Sequence, residues 1–153
     1  MAKGTEVTQA KKFSSLQPNF RSTCLLKRTK LSGTVFSGGG EGKKFLELPW
    51  AKRQVEEKLG FAPYPGTLNV KLSEESVKRR KLLEKAPSIK ICPAEGYCNG
   101  LLFKAFIGAL ECAVVVPEVA GYLKDVLEII AAVNLREALR LEDGTEVTVT
   151  FSL

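Results

Sequence analysis

At 153 residues, 44% hydrophobic and 26% charged, the chain has the make-up of one globular domain with a sizeable core. It contains no histidine, which excludes a Ser-His-Asp triad, a Cys-His pair and any imidazole base. The net charge of +6 resides in the first 30 residues, where Lys3, Lys11, Lys12, Arg21, Lys27, Arg28 and Lys30 face Glu6 alone; the remainder is neutral.

Residues 1–30 are polar and aperiodic, broken by Ser14, Ser15 and Pro18. They bury too little apolar surface to offset their ordering entropy, so a basic, flexible arm is expected ahead of a folded domain over 31–153. Contact of this arm with nucleic acid is the sharper alternative. No apolar run approaches the roughly 18 residues that span a membrane, and the N-terminus lacks the apolar core of a signal peptide, so cytoplasmic residence is expected. Cys24, Cys92, Cys98 and Cys112 have neither zinc-like spacing nor the density of a disulfide scaffold, and read as small buried hydrophobes.

From Leu31 the pattern alternates, giving a strand over 31–36 that runs into Ser37, Gly38, Gly39, Gly40, Glu41, Gly42, Lys43 and Lys44. Glycines let backbone N–H groups approach an anion, and lysine adds point charge, so the stretch reads as a phosphate cradle. The alternative is a glycine-rich hairpin turn into a second strand around Phe45, Leu46 and Leu48. It matches neither a P-loop, since Lys44 follows Gly42-Lys43, nor a dinucleotide fingerprint. Pro49 opens a helix with Val55 and Leu59 on one face and Gly60 as its C-terminal cap. Residues 61–66, with Pro63 and Pro65, are expected to be irregular.

A strictly alternating strand follows over 67–72, with Leu68, Val70 and Leu72 inward and Thr67, Asn69 and Lys71 on the other face. An exposed charged helix over 73–85 is capped by Ser73, with Glu74 and Glu75 in its first turn. Three strands are read at 88–92, 100–107 and 111–116. The apolar run 126–133 is read as a strand for its β-branched residues, and Asn134 caps a short helix over 135–139. A turn at Asp143-Gly144 leads to the last strand, 147–151. Six or seven short strands with two or three small helices describe a mainly β, closed or nearly closed barrel.

Three patches carry chemistry. Beside the glycine loop, Thr67 and Asn69 point two neutral oxygens the same way, which suits Mg²⁺ already bearing phosphate charge; a solvated polar strand face is the alternative. Glu128 is a lone acid in an apolar run, expensive to bury unless paired or functional. Arg136 sits in a first helical turn, where the helix dipole disfavours a cation, and invites an anionic or base partner; a salt bridge to Glu128 is the alternative. Together they suggest phosphoryl transfer, which rests on positioning and charge neutralisation and needs no histidine.

The strings GTVFSGGGEGKKF (33–45), LGFAPYPGTLNV (59–70) and LEIIAAVNLRE (127–137), with Val115-Val116-Pro117 between the last two, resemble the archaeal CTP-dependent riboflavin kinases over about 31–153. The resemblance implies a six-stranded cradle-loop barrel of the riboflavin-synthase type, decorated with a few short helices. The implied reaction moves the γ-phosphate of CTP to the 5′-hydroxyl of riboflavin, giving FMN and CDP with one Mg²⁺ per active site. It also implies roles by position. Gly39, Gly40, Glu41, Gly42, Lys43 and Lys44 would cradle the nucleotide phosphates, and Val133, Asn134, Leu135 and Arg136 would hold the cytosine end. Thr67 and Asn69 would be the metal ligands, and Glu128 the flavin contact that orients or deprotonates the accepting hydroxyl. The family usually has threonine three residues after Pro117, a flavin contact, where this chain has Ala120. A monomer acting on small molecules is expected. The reading from another class is a flavin- or nucleotide-binding sensor without turnover, its arm touching nucleic acid.

Overall fold

A computed structural model describes residues 28–38, 41–93, 99–118 and 124–152. Gly39, Gly40, Cys24, Cys98, Ala120 and all but the last three residues of the expected arm lie outside the described residues. The described strands are β1 (Arg28–Phe36), β2 (Leu68–Leu72), β3 (Ile89–Ile91), β4 (Gly100–Ile107), β5 (Leu110–Pro117), β6 (Val126–Ile130) and β7 (Glu146–Ser152). All pairings are antiparallel, in the order β3-β4-β5-β6-β2-β1-β7. The sheet then closes on itself, because Ala105 and Phe106 of β4 pair with Phe151 and Thr150 of β7. Six strands therefore form a barrel, and β3 extends the edge of β4 where β7 leaves off. Closure of this kind removes the exposed edges that an open sheet would have to protect.

Strand alternation fills the interior. Leu31, Val35, Val70, Phe103, Val114, Leu127, Ile129, Val149 and Phe151 pack inside, each at most 6% exposed. Cys112 joins them as a free thiol, and burial pushes it up to about 12, so it acts as a small hydrophobe as expected. Cys92 differs from that expectation, since it is disulfide-bonded.

A second, smaller core lies outside the barrel. Helix α2 (Pro49–Leu59) starts on its proline and ends at Gly60, whose φ of 81° is easily reached only without a Cβ. Its buried face, Ala51, Val55 and Leu59, covers Ile91, Leu102, Ala113, Val115 and Ile130. The Gln54 carboxamide brackets the Cys92 peptide, accepting from its N–H at 2.9 Å and donating to its carbonyl, and so ties α2 to the end of β3.

Two stretches depart from the sequence reading. The glycine-rich segment does not join two strands. It leads into α1 (Glu41–Leu46), which lies against β5 and α2. An apolar stretch this short has no diagnostic period, and Glu41, Lys43, Lys44 and Leu46 favour helix, so local propensity prevails. The charged segment after β2 is two pieces: α3 (Glu74–Arg79), capped by the Ser73 hydroxyl accepting from Ser76 N–H, and a 3₁₀ turn over Arg80–Lys85. Helix α4 (Leu135–Leu139) stands where expected, with the Asn134 side-chain oxygen accepting from the N–H groups of Arg136 and Glu137.

Candidate active site

Alternation along β2 decides which side chains meet. With Leu68, Val70 and Leu72 inside the barrel, Asn69 and Lys71 must face outward, and Thr67 just before the strand lies on the same side. The register of the neighbours completes the patch. Asn69 stands opposite Glu128 of β6 on one flank and opposite Phe36 of β1 on the other. Glu128 is in turn opposite Val115 of β5. The lone acid of the apolar run and the amide of the alternating strand are thus direct cross-strand neighbours, a juxtaposition that neither run reveals by itself.

This outward face is not solvated. Asn69 is 9% exposed and Glu128 3%. Part of the cover is the start of the glycine loop, because a Cβ added at Gly38 would lie 2.9 Å from Asn69 Cγ and 3.0 Å from the Phe36 ring. Only glycine permits that approach. The solvated-strand alternative therefore fails at Asn69, while Lys71, exposed and paired with Asp125 at 2.6 Å, fits it. The Thr67 hydroxyl stands 3.5 Å from Glu128 Oε1, its donor aimed at the carboxylate. A hydroxyl, an amide and a carboxylate thus converge, with Gly38 against the amide.

The donor set suits a small hard cation. Thr67 and Asn69 supply two neutral oxygens two residues apart, leaving most of the coordination shell to water and ligand oxygens, as Mg²⁺ prefers. Among the described residues no group of three or more His, Cys, Asp or Glu could hold a metal.

At one end of the barrel, where β6 finishes, lies a cavity of about 170 Å³ lined by Tyr64, Thr67, Val133, Asn134, Leu135 and Arg136 among others. Val133 is exposed, whereas Leu135 is buried in the barrel core, so Leu135 offers the cavity little beyond its backbone. A neighbouring cavity of about 200 Å³ includes Lys43, Lys52, Tyr64 and Gly66. Lys43 and Lys44 are both exposed on α1. The largest of these spaces, about 590 Å³, is at the opposite end, where β5 finishes and β6 begins. Its lining joins apolar Leu83, Leu101, Phe103, Val116 and Pro117 to the charged Arg80, Lys124 and Glu118.

Arg136 does have an anionic partner, and it is Asp143. The guanidinium donates to Asp143 Oδ1 at 2.7 Å and to the Phe36 carbonyl at 3.4 Å. The Ser37 hydroxyl donates to the same carboxylate at 3.0 and 3.2 Å. Arg136 and then Ser37 hold the Asp143 carboxyl below the usual carboxylate range. The first turn of α4 is thereby fastened to the entrance of the glycine loop. Sequence reasoning took Asp143 only for a turn residue. The signal for it was the misplaced charge of Arg136, which asked for an anion without saying which. Tyr64 was passed over as part of an irregular proline segment.

The family model CTP-dep_RFKase, described as Domain of unknown function DUF120, matches residues 35–151. A riboflavin kinase of Methanosarcina barkeri is 44% identical over 127 residues, which is 78% of this chain and 55% of that protein. One from Pyrobaculum aerophilum is 46% identical over 131 residues, 81% of this chain and 61% of its own length. One from Ignicoccus hospitalis is 42% identical over 127 residues, 80% and 71% respectively. The chain therefore spans little more than half the length of the first of these relatives and about three-fifths of the second.

Proposed function

The chain belongs to the family of CTP-dependent riboflavin kinases, and from that premise we propose that it transfers the γ-phosphoryl group of CTP to the 5′-hydroxyl of riboflavin. The products are FMN and CDP. The observation that carries this reading is the burial of Glu128 directly across from Asn69 and beside the Thr67 hydroxyl, with Gly38 against Asn69. A buried carboxylate is expensive to keep, and a sensor that only holds a ligand has no use for one at a neutral oxygen pair.

In this reading Glu128 accepts a hydrogen bond from the flavin's terminal ribityl hydroxyl and takes its proton as the bond from that oxygen to the γ-phosphorus forms. The bond from the γ-phosphorus to the β,γ-bridging oxygen breaks, and CDP leaves with that oxygen. Thr67 and Asn69 would hold Mg²⁺ against the nucleotide phosphates, and the bound ion would neutralise the charge that builds on their oxygens. Gly39, Gly40, Glu41, Gly42, Lys43 and Lys44 would form the cradle for those phosphates. The base would lie toward Val133, Asn134, Leu135 and Arg136, at the end of the barrel where β6 finishes. The flavin ring would then lie toward the other end, where the cavity of about 590 Å³ is of the size that enzymes use for ligands of this bulk. No described helix is long and apolar enough to cross a membrane.

The test is incubation of the protein with riboflavin, Mg²⁺ and either CTP or ATP, followed by chromatographic detection of FMN. FMN from CTP is the expected result. No FMN from any nucleoside triphosphate would sink the kinase reading. FMN from ATP alone would keep a kinase and overturn the donor.

A further inference from the structure

Tyr64 stands out as a large aromatic ring left 43% exposed. It is held rather than loose. Its backbone N–H donates to the Ala131 carbonyl at 2.7 Å, tying it to the end of β6. Its hydroxyl accepts from Asn134 Nδ2 at 3.2 Å. Pro63 and Pro65 on either side fix their own φ angles and restrict the residues before them. The ring edge lies close to Gly66, where an added Cβ would meet Tyr64 Cε2 at 3.9 Å.

The position of this ring matters as much as its rigidity. It lines the cavity that contains Val133, Asn134 and Arg136, and also the cavity that contains Lys43 and Lys52. One face of the molecule thus offers, side by side, a segment rich in backbone polar groups, a pinned aromatic surface and two cations. That is the order in which a nucleotide presents its base and its phosphates. Asn134 joins the parts, because its carboxamide caps α4 through the oxygen and grips Tyr64 through the nitrogen.

We propose that Tyr64 is the stacking platform for the nucleobase of the phosphate donor, with Asn134 setting the tilt of its ring. This rests on the kinase reading above and adds a residue to it. Stacking on an aromatic ring is indifferent to which base is present, so Tyr64 would supply affinity while the polar groups of 133–136 supply choice. A ring already immobilised loses little entropy when the base arrives, which is the advantage of the double tether. The flavin is the other aromatic substrate, but the spacious cavity suited to it is at the opposite end of the barrel.

The test compares equilibrium binding of CTP and of inorganic tripolyphosphate, both with Mg²⁺, to the wild-type protein, Tyr64→Phe and Tyr64→Ala. Tyr64→Ala should weaken CTP about tenfold and leave tripolyphosphate unchanged. Tyr64→Phe should stay within about threefold for CTP, since it keeps the ring and loses only the tether. The KM for riboflavin should be the same in all three. Unchanged CTP affinity in Tyr64→Ala, equal loss of CTP and tripolyphosphate, or an effect confined to riboflavin would each overturn the platform. Those outcomes leave an active kinase. A wild-type protein that neither binds CTP nor makes FMN would instead defeat the kinase reading, and the platform with it.

Discussion

The outer surface of the barrel carries two buried patches that differ in almost everything but their burial. One is apolar: Leu102, Ala113, Val115 and Ile130 under the helix Pro49–Leu59. The other is polar: Asn69 and Glu128, with Gly38 pressed on Asn69. They share strands, since Glu128 pairs with Val115 and sits two residues from Ile130. Hydrophobic burial accounts for the first patch, whose side chains gain by leaving water. The hydrophobic effect does not account for the second, because enclosing a carboxylate and an amide forfeits their hydration. The strand Val126–Ile130 is buried at every position, and only the identity of its middle residue separates structure from chemistry. Burial locates a site here only when it is read together with polarity.

The two patches should therefore separate under mutation. Glu128→Gln keeps shape and volume while removing the proposed base, and is expected to lower kcat by about 10²- to 10⁴-fold with the unfolding midpoint unchanged or raised. Asn69→Ala should likewise abolish turnover with the fold intact, at every Mg²⁺ concentration in the physiological range. FMN formation across a Mg²⁺ titration, beside a thermal melt, checks both. Activity near wild type in Asn69→Ala would remove the metal role from that residue.

The apolar patch should give the reverse result. Leu102 is fully buried beneath the helix, and Leu102→Ala should cost about 2–5 kcal/mol in urea unfolding through lost transfer energy and the cavity left behind. Activity per folded molecule should stay within about twofold, because Leu102 belongs to the apolar cluster under the helix and not to the polar patch. A variant that loses turnover without losing stability would mean that the two patches are mechanically coupled.

Gly38→Ala lies between these extremes. The added methyl would sit 2.9 Å from Asn69 Cγ, so either the loop lifts or the amide turns. A loss of about tenfold in kcat/KM is expected, equivalent to ~1.4 kcal/mol in the transition state. Stability should change by less than about 1 kcal/mol, as the loop is at the surface.

Much of this arrangement was legible in the sequence, and the illegible parts have definite causes. Strand alternation identified the inward set of β2 and placed Thr67 and Asn69 together on the other side, because period-two geometry is local. It could not put Glu128 opposite Asn69, because register between strands some 60 residues apart is a property of the closed sheet. The glycine loop is recognisable by composition, but its exit into Glu41–Leu46 is not, since three apolar residues (Phe45, Leu46 and Leu48) near a proline carry no period. Asp143 was hidden for a similar reason. As the residue before Gly144 it satisfies a turn completely, and its second task exists only once Ser37, 106 positions earlier, is folded against it.

The smallest expected effect concerns that residue. Arg136, Asp143 and Ser37 fasten the helix Leu135–Leu139 to the entrance of the glycine loop, but the pair is largely exposed and screened by solvent. Asp143→Asn should raise the KM for CTP by only about two- to fivefold and leave kcat and the KM for riboflavin unchanged. The pH dependence sharpens the prediction. Arg136 and Ser37 lower the folded-state pKa of Asp143, so its contribution is complete above the ordinary carboxylate range and is lost only as pH falls through the lowered value. The KM for CTP should accordingly show no Asp143-dependent change between about pH 7 and 5, and the offset between wild type and Asp143→Asn should stay constant across that interval. An offset that shrinks toward pH 5 would mean that the carboxylate is protonating early, and that the bridge to Arg136 is too weak to connect the two halves of the nucleotide site.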